Sequence, residues 1–351
     1  MPPVQNFSHD LSHAEQLTVL EALMRTTLSD HYGLDGAAAR VELQQYEDNA
    51  VWRITPVGEA SSFVARLSVR DGRPEPQQRS EMRWLESLAA SHTVAVPEPV
   101  TTTAGSYVVL MDVPGHDEPA TLALLHWLPG TAEPPYNQRG IAHEMGIATA
   151  HLHQHAVTVE MPDFDRPNWN ETTILHHGHA LSGPGGPEQL GADGTATLRK
   201  IIELITPALQ QGTPRDRGRV HGDLHRENMI ALPGSGVGLI DFDDCGTGHY
   251  LIDIATVLSS IHRIAQKVPG AYEEFARAYL AGYTQIRPLP DDWTRLLEPY
   301  LLLRDAFILN FVTAAAANAD VASWGPRRIT GIVANMQAYL EGHPYPGALP
   351  S

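Results

Sequence analysis

The chain holds a single cysteine, Cys245, among 351 residues. No intramolecular disulfide and no cysteine-built zinc centre can form, and a reducing compartment such as the cytoplasm is the expected setting. Basic charge is scarce: 24 Lys and Arg stand against 41 Asp and Glu, a formal net charge of −17. Such a chain is not built to gather nucleic-acid phosphates or to lie on an anionic membrane. No apolar run approaches the roughly 20 residues a spanning helix needs. The amino terminus lacks a basic segment followed by an apolar one, so no signal peptide is expected. What the acidity suits is a cationic partner such as an amine-bearing small molecule, or simply a solubilising surface. The length exceeds what one hydrophobic core usually serves, which predicts two lobes.

Leu17, Leu20, Met24 and Leu28 recur at spacings of three and four, and Ser12 with Glu15 makes a capping-box pattern, so an amphipathic helix is expected over 12–28. Arg40–Thr55 and Ser62–Val69 are rich in β-branched and aromatic residues, with Pro-Val-Gly-Glu between them, as antiparallel strands would be. A helical period returns over Gln77–Ala90, and strand-like runs follow at Ser106–Asp112 and Thr121–Trp127. Leu128-Pro129-Gly130 and the prolines to Pro135 end this pattern. Beyond them helices are expected over 140–155, 195–209, 251–264, 271–283 and 292–317, with Gly178–Gly194 a glycine-rich mobile loop. The predicted organisation is an N-terminal lobe over 1–128 and a mainly helical C-terminal lobe over 129–351.

The richest stretch for chemistry is Val220-His221-Gly222-Asp223-Leu224-His225-Arg226-Glu227-Asn228, followed by an apolar strand that delivers Ile240-Asp241-Phe242-Asp243. It resembles the kinase catalytic loop H-R-D-L-x-x-x-N, with Gly222 in place of the arginine and the interval from aspartate to asparagine preserved. Asp241 falls where kinases carry the magnesium-holding aspartate. A triphosphate needs hard oxygen ligands to fix Mg²⁺, and Asn228 and Asp241 supply them. A second carboxylate must orient or accept the acceptor hydroxyl's proton, and Asp223 is placed for that. His221 is a further candidate catalytic residue, although anchoring the loop by a hydrogen bond suits it better than proton transfer. The alternative is a turn whose carboxylates cap helices.

On these motifs the chain resembles the aminoglycoside phosphotransferase and choline kinase superfamily, over most of its length, and within it a branch related to a bacterial stress-response kinase. The resemblance implies an α+β, bilobal, protein kinase-like fold: a small antiparallel sheet with one helix, then a larger helical lobe. It implies ATP and Mg²⁺ as cofactors. Tyr46-Glu47-Asp48-Asn49-Ala50-Val51-Trp52-Arg53 is similar to the family's nucleotide loop, where Asn49 sits, with backbone amides covering the phosphates. Phe63-Val64-Ala65-Arg66-Leu67 resembles the strand bearing the phosphate-pairing lysine, with Arg66 in the lysine's place, and Glu81 resembles the helix glutamate that braces it. A guanidinium forks onto phosphate oxygens where an ammonium acts as a point charge. Leu125-His126-Trp127-Leu128 resembles the adenine-binding hinge, in which backbone at His126 and Leu128 would contact the base. Phe164-Asp165-Arg166-Pro167-Asn168-Trp169-Asn170 resembles a segment expected near the acceptor.

Gly222 removes the arginine that would grip an activation-loop phosphate, and no A-P-E segment follows. An always-assembled site and a small-molecule hydroxyl acceptor are implied, aminoglycoside-, amino alcohol- or sugar-like. A Ser/Thr protein kinase acting on a protein partner, and an ATP-binding pseudoenzyme, are the alternatives. His151 and His155 share a helical face but make a two-ligand site at best; surface histidines, or a structural bond from His153 between the lobes, explain the cluster as well. Cys245 reads as a small buried packing residue.

Overall fold

The computed structural model describes residues 13–46, 49–58, 61–68, 73–114, 119–170 and 172–349. Ser12 of the expected capping box and Glu47-Asp48 of the nucleotide-loop motif lie outside the described residues. The chain divides into two compact units, one running to Pro129 and including Met161–Asp165, the other made of Gly130–Glu160 and Arg166 onward.

The first unit begins with α1 (His13–Tyr32) and continues through β1 (Arg40–Tyr46), β2 (Asn49–Thr55), β3 (Phe63–Ser68), α2 (Glu75–Ser91), β4 (Pro99–Val100), β5 (Val108–Met111) and β6 (Ala120–His126). All pair antiparallel in one sheet of order β1-β2-β3-β6-β4, with β5 also on β6. Alternation places Ala50, Trp52 and Ile54 of β2, Ala65 and Leu67 of β3, and Leu122 and Leu124 of β6 in one buried cluster. Leu20, Met24 and Leu28 of α1, the residues whose spacing predicts that helix, close the same cluster with no exposed surface. The helix α2 buries Met82, Trp84, Leu85 and Leu88. Against Trp84 packs the ring of Phe164, edge-on at 5.7 Å. Ser80 Oγ accepts from the Asp165 amide at 3.0 Å, so the short segment 161–165 belongs with this unit although it lies beyond the Leu128-Pro129 break.

The second unit contains β7 (Thr131–Ala132), α3 (Arg139–Thr158), β8 (Asn168–Trp169), α4 (His179–Ser182), α5 (Gly186–Leu209), β9 (Arg217–Val220), β10 (Met229–Ala231), β11 (Val237–Leu239), β12 (Gly246–His249), α6 (Leu251–Ala265), α7 (Ala271–Ile286), α8 (Trp293–Ala314) and α9 (Ala319–Leu340). Two three-stranded sheets, β11-β10-β7 and β8-β12-β9, present the loops that matter for chemistry. The helix α6 is buried nearly all round, through Leu251, Ile252, Ile254, Ala255, Val257, Leu258 and Ile261, so it is the spine on which those loops rest.

The α+β, kinase-like architecture expected from the sequence is thus present. Three local expectations are corrected. Arg40–Thr55 is two strands, not one run. Gly178–Gly194 is not a mobile loop. It holds α4 and the start of α5, with Ala180 N donating to Asn310 Oδ1 at 3.1 Å and Gln189 Nε2 to Thr313 O at 3.0 Å. Its glycines serve close approach: a Cβ on Gly186 would lie 2.1 Å from the His179 carbonyl oxygen. The bond from His153 does not join the lobes, since both its partners, Asp253 and Tyr283, lie in its own unit.

Candidate active site

The antiparallel register of β10 on β11 pairs Met229 with Leu239. One step further along that ladder, the Ile240 amide donates to the Asn228 carbonyl at 3.0 Å. Asn228 and Asp241 therefore emerge at the same end of one hairpin. Asn228 Nδ2 donates to the Asp223 carbonyl oxygen at 2.9 Å, which turns its Oδ1 away from that bond and ties the preserved interval into a closed loop. Asp241 is exposed and left-handed, with φ 62° and ψ 69°, a conformation Asp tolerates better than most side chains.

Two layers of support hold this loop. Asp253, fully buried on α6, accepts the His221 and Gly222 amide hydrogens on its two oxygens, each at 2.9 Å. Its Oδ2 is also 3.0 Å from His153 Nε2, whose Nδ1 is 2.9 Å from the Tyr283 hydroxyl. Burial pushes the His153 ring below its ordinary pKa, so a neutral imidazole donates to the carboxylate and accepts from Tyr283. His221 itself has no exposed surface; its Nε2 meets the Ile240 carbonyl at 2.9 Å and its ring packs on Phe242 at 4.6 Å. Its position ties the Asp223 loop to the strand leading to Asp241 and lies away from solvent.

The second layer is the segment around Trp169. Arg166 Nε donates to the Cys245 carbonyl at 2.8 Å, and its Nη2 to the Asp243 carbonyl. Trp169 Nε1 donates to the Asp244 carbonyl at 2.8 Å. So Arg166 and Trp169 hold the chain just beyond Asp241. Cys245 is buried there, as a packing residue should be. Gly222, at φ +84°, has no room for a side chain: a Cβ would meet the Asp244 carbonyl oxygen at 2.4 Å and the Trp169 ring at 2.7 Å.

Asp223 is partly exposed and contacts two cations. Arg304 Nη2, from α8, is 2.5 Å from its Oδ1, and His225 Nε2 is 3.4 Å from its Oδ2. Burial would raise the carboxyl pKa, but the Arg304 charge and the His225 hydrogen bond outweigh it and hold Asp223 well below the usual carboxylate range. His225 is in turn raised to about 9, because the carboxylates of Asp223 and Glu227 overcome its burial. Glu227, 3.0 Å from His225 Nδ1, is lowered to about 2 chiefly by its interaction with that ring. The site is an ionised carboxylate on a rigid loop, beside an amide and a second carboxylate.

In the first unit, Arg66 of β3 and Glu81 of α2 are brought together by two parallel hydrogen bonds of 2.8 and 2.7 Å, both side chains buried. Asn49 opens β2 opposite Ser68, half-buried. At the expected hinge, the His126 amide donates to the Glu98 carbonyl and the Trp127 amide to the Ser62 carbonyl. Both amides are thus consumed within the chain. His151 and His155 gather no third ligand: among the described residues no group of three His, Cys, Asp or Glu could hold a metal. No described helix is long and apolar enough to cross a membrane.

The sequence reading missed Asp253, Arg304 and His225 as parts of this site, and Trp169 entered it only within the segment expected near the acceptor. His225 and Trp169 stood inside quoted motifs. Arg304 and Asp253 carried no local signal, except that each is a charged residue within a strongly apolar helical stretch.

A small antiparallel sheet and a helical unit bearing this Asp-Asn-Asp constellation define a protein of the kinase-like class. A model of the phosphotransferase enzyme family, APH, matches residues 41–289, and the chain belongs to that family. This meets the superfamily expectation; the matches speak to the superfamily and not to the stress-response branch. Homoserine kinase of Gluconobacter oxydans is 28% identical over 60% of this chain, and the match spans 64% of that protein, just under two thirds of its length. Homoserine kinase of Gluconacetobacter diazotrophicus is 29% identical over 75% of this chain and 81% of its own. Amicoumacin kinase of Bacillus subtilis is 24% identical over 70% and 72%. Among solved structures, a microcompartment-associated aminopropanol kinase superposes with a TM-score of 0.75 at 24% identity, covering 93% of this chain and 99% of that one. The amicoumacin kinase hAmiN, in complex with AMP-PNP, Ca²⁺ and Ami, gives 0.71 at 21%, covering 92% and 96%. At these identities the structural likeness speaks to the fold.

Proposed function

We propose that the chain transfers the γ-phosphoryl group of ATP, with Mg²⁺, to a hydroxyl of a small-molecule acceptor. The observation that carries this is the tie from Asn228 Nδ2 to the Asp223 backbone, with Asp241 emerging beside Asn228 at the end of the β10–β11 hairpin. It leaves an ionised carboxylate for the acceptor and two oxygen donors for a hard cation. Those donors fit Mg²⁺, which takes one or two protein ligands and completes its shell with phosphate oxygens and water. When bound, that ion would neutralise charge developing on the phosphates.

Asp223 orients the acceptor hydroxyl and takes its proton. Phe242, His221 and Asp253 keep Asp223 and Asp241 in fixed relation. Arg66 and Asn49 bind nucleotide phosphates, with Glu81 bracing Arg66, and the backbone at His126 and Leu128 meets the base. The kinases of homoserine, amicoumacin and aminopropanol among the relatives support a small-molecule acceptor over a protein. So does Gly222, which leaves no arginine and no space for one.

The test is transfer from γ-labelled ATP with Mg²⁺ to a panel of amino alcohols, hydroxy amino acids, sugars, aminoglycosides and generic proteins. Transfer to one small-molecule class, abolished in Asp223→Asn with ATP binding retained, is the expected result. Labelling of protein alone would replace this reading with a Ser/Thr protein kinase, and turnover surviving in Asp223→Asn would overturn the role of Asp223.

A further inference from the structure

Arg304 is a costly residue for a chain of net charge −17 to place against its candidate base. Its guanidinium offers five N–H donors in a planar fork. Nη2 makes a charge contact with Asp223, yet Asp223 Oδ1 and Arg304 Nη1 each lack a hydrogen-bond partner. The contact is therefore close but not aligned, and Nη1 is left without an acceptor. The group is also held rigidly: it lies 5.1 Å from the Phe307 ring, Phe307 packs on Trp169 at 4.7 Å, and Trp169 is bonded to the Asp244 carbonyl.

A small cavity of about 10 Å³ beside it, lined by Trp169, Ile252, Thr256, Tyr300, Leu303 and Arg304, has room for about one water. The Thr256 hydroxyl, of a residue on its wall, is likewise without a partner. Nη1 still awaits an oxygen acceptor. Parts of both side chains reach solvent, 22% of Asp223 and 11% of Arg304, while Asp223 Oδ1 and Arg304 Nη1 themselves are buried.

We infer that Arg304 selects the acceptor by taking the carboxylate of a short hydroxy acid whose hydroxyl lies on Asp223. This rests on the phosphotransferase reading above and names its substrate class. Planar guanidinium and carboxylate match as two parallel hydrogen bonds. Because Arg304 and Asp223 touch, the carboxylate and the reacting hydroxyl must be only two to three carbons apart. Drawing Arg304 onto the substrate also loosens its hold on Asp223 when the hydroxyl arrives. In the step itself the acceptor oxygen forms the new O–P bond, and the bond from the γ-phosphorus to the bridging oxygen breaks with its electron pair leaving on ADP. The hydroxyl proton passes to Asp223.

Two matched pairs test this, differing only in the carboxylate: L-homoserine against 3-aminopropan-1-ol, and L-threonine against 1-aminopropan-2-ol, each with MgATP. At least one acid should exceed its decarboxylated partner roughly 100-fold or more in kcat/KM, since a site built around a polar group rejects the analogue lacking it. Arg304→Gln should shrink that ratio to within about 10-fold, mainly through KM, while Arg304→Lys, which keeps charge without the fork, falls between. The carboxamide of the preferred acid, tested on the unaltered protein, should behave like the amino alcohol, and it removes any dependence on variant folding. Equal or better use of both amino alcohols, or a ratio unchanged in Arg304→Gln, overturns the inference and leaves the phosphotransferase reading standing. If no pair is turned over, calorimetry with Mg-AMP-PNP decides: acid binding lost in Arg304→Gln upholds the inference, and no acid binding by the unaltered protein overturns it.

Discussion

Arg66 and Glu81 meet through two parallel hydrogen bonds of 2.8 and 2.7 Å, with Glu81 fully buried. Truncating either alone strands a charge inside the first unit, at a cost of about 3–5 kcal/mol. Replacing both with apolar residues of similar volume, Arg66→Met with Glu81→Leu, should cost far less, because no charge is left unpaired. The double variant should then melt close to the unaltered protein yet bind ATP more weakly. Melting curves and nucleotide titrations on the three variants check this. A double variant that binds ATP unchanged would reduce the pair to a structural ion bridge.

Asp253 is a second point where stability and function can be told apart. Asp253→Asn keeps the volume but exchanges one acceptor oxygen for a donor, which opposes the His221 or Gly222 amide. A buried donor without a partner costs about 1–3 kcal/mol. A slight shift of the loop bearing Asp223 costs on the order of 100-fold in rate. The expected outcome is a folded protein with a modestly lower melting temperature and a large loss in kcat at near-unchanged ATP affinity. Wild-type kcat in a folded Asp253→Asn protein would remove Asp253 from the positioning of the loop.

Much of this site was legible because its core is local. Asp223, Asn228 and Asp241 lie within one loop and one hairpin, so the spacing that the chemistry needs survives as spacing in sequence. Leu20, Met24 and Leu28 announced α1 for the same reason: a helical face is written at intervals of three and four. What could not be read depends on chain folding back from afar. Arg304 reaches Asp223 from α8, and Asp253 reaches His221 from α6; each looks in sequence like a charge within an apolar helical stretch whose partner cannot be read. The glycines of 178–194 read as flexibility, whereas packing uses them for closeness, and the helix α9 was hidden by Gly325 and Pro326 within it.

The charge pattern of the catalytic loop makes a pH prediction. His225 is raised to about 9 by Asp223 and Glu227, against about 6.5 unfolded. The folded state then holds this proton more tightly than the unfolded one. The stabilisation is fully present below about pH 6.5 and is lost as pH rises through about 9. His225→Gln removes it. Melting temperatures of the two proteins should differ most near pH 6 and converge by about pH 9.5, with a smaller gap at high salt because the group is partly exposed. A gap that stays constant across this range would mean that His225 carries no such proton.

Gly222 stands where protein kinases carry an arginine, and the structure makes that exchange impossible here. Its φ of +84° lies where L side chains are strained, and its Cβ position is filled by the Asp244 carbonyl and the Trp169 ring. Gly222→Ala therefore combines backbone strain with a clash against the segment that follows Asp241, and should lower stability by about 2–4 kcal/mol. The displaced parts are the amide bonded to Asp253 and the carbonyl bonded to Trp169, so activity should fall more steeply than stability. Adding Trp169→Leu removes the ring from that space and releases the Asp244 carbonyl from the Trp169 hydrogen bond, so that it can yield to the new methyl, which separates the effects. If the clash dominates, the double variant recovers part of the melting temperature lost by Gly222→Ala; if backbone strain dominates, the two losses simply add.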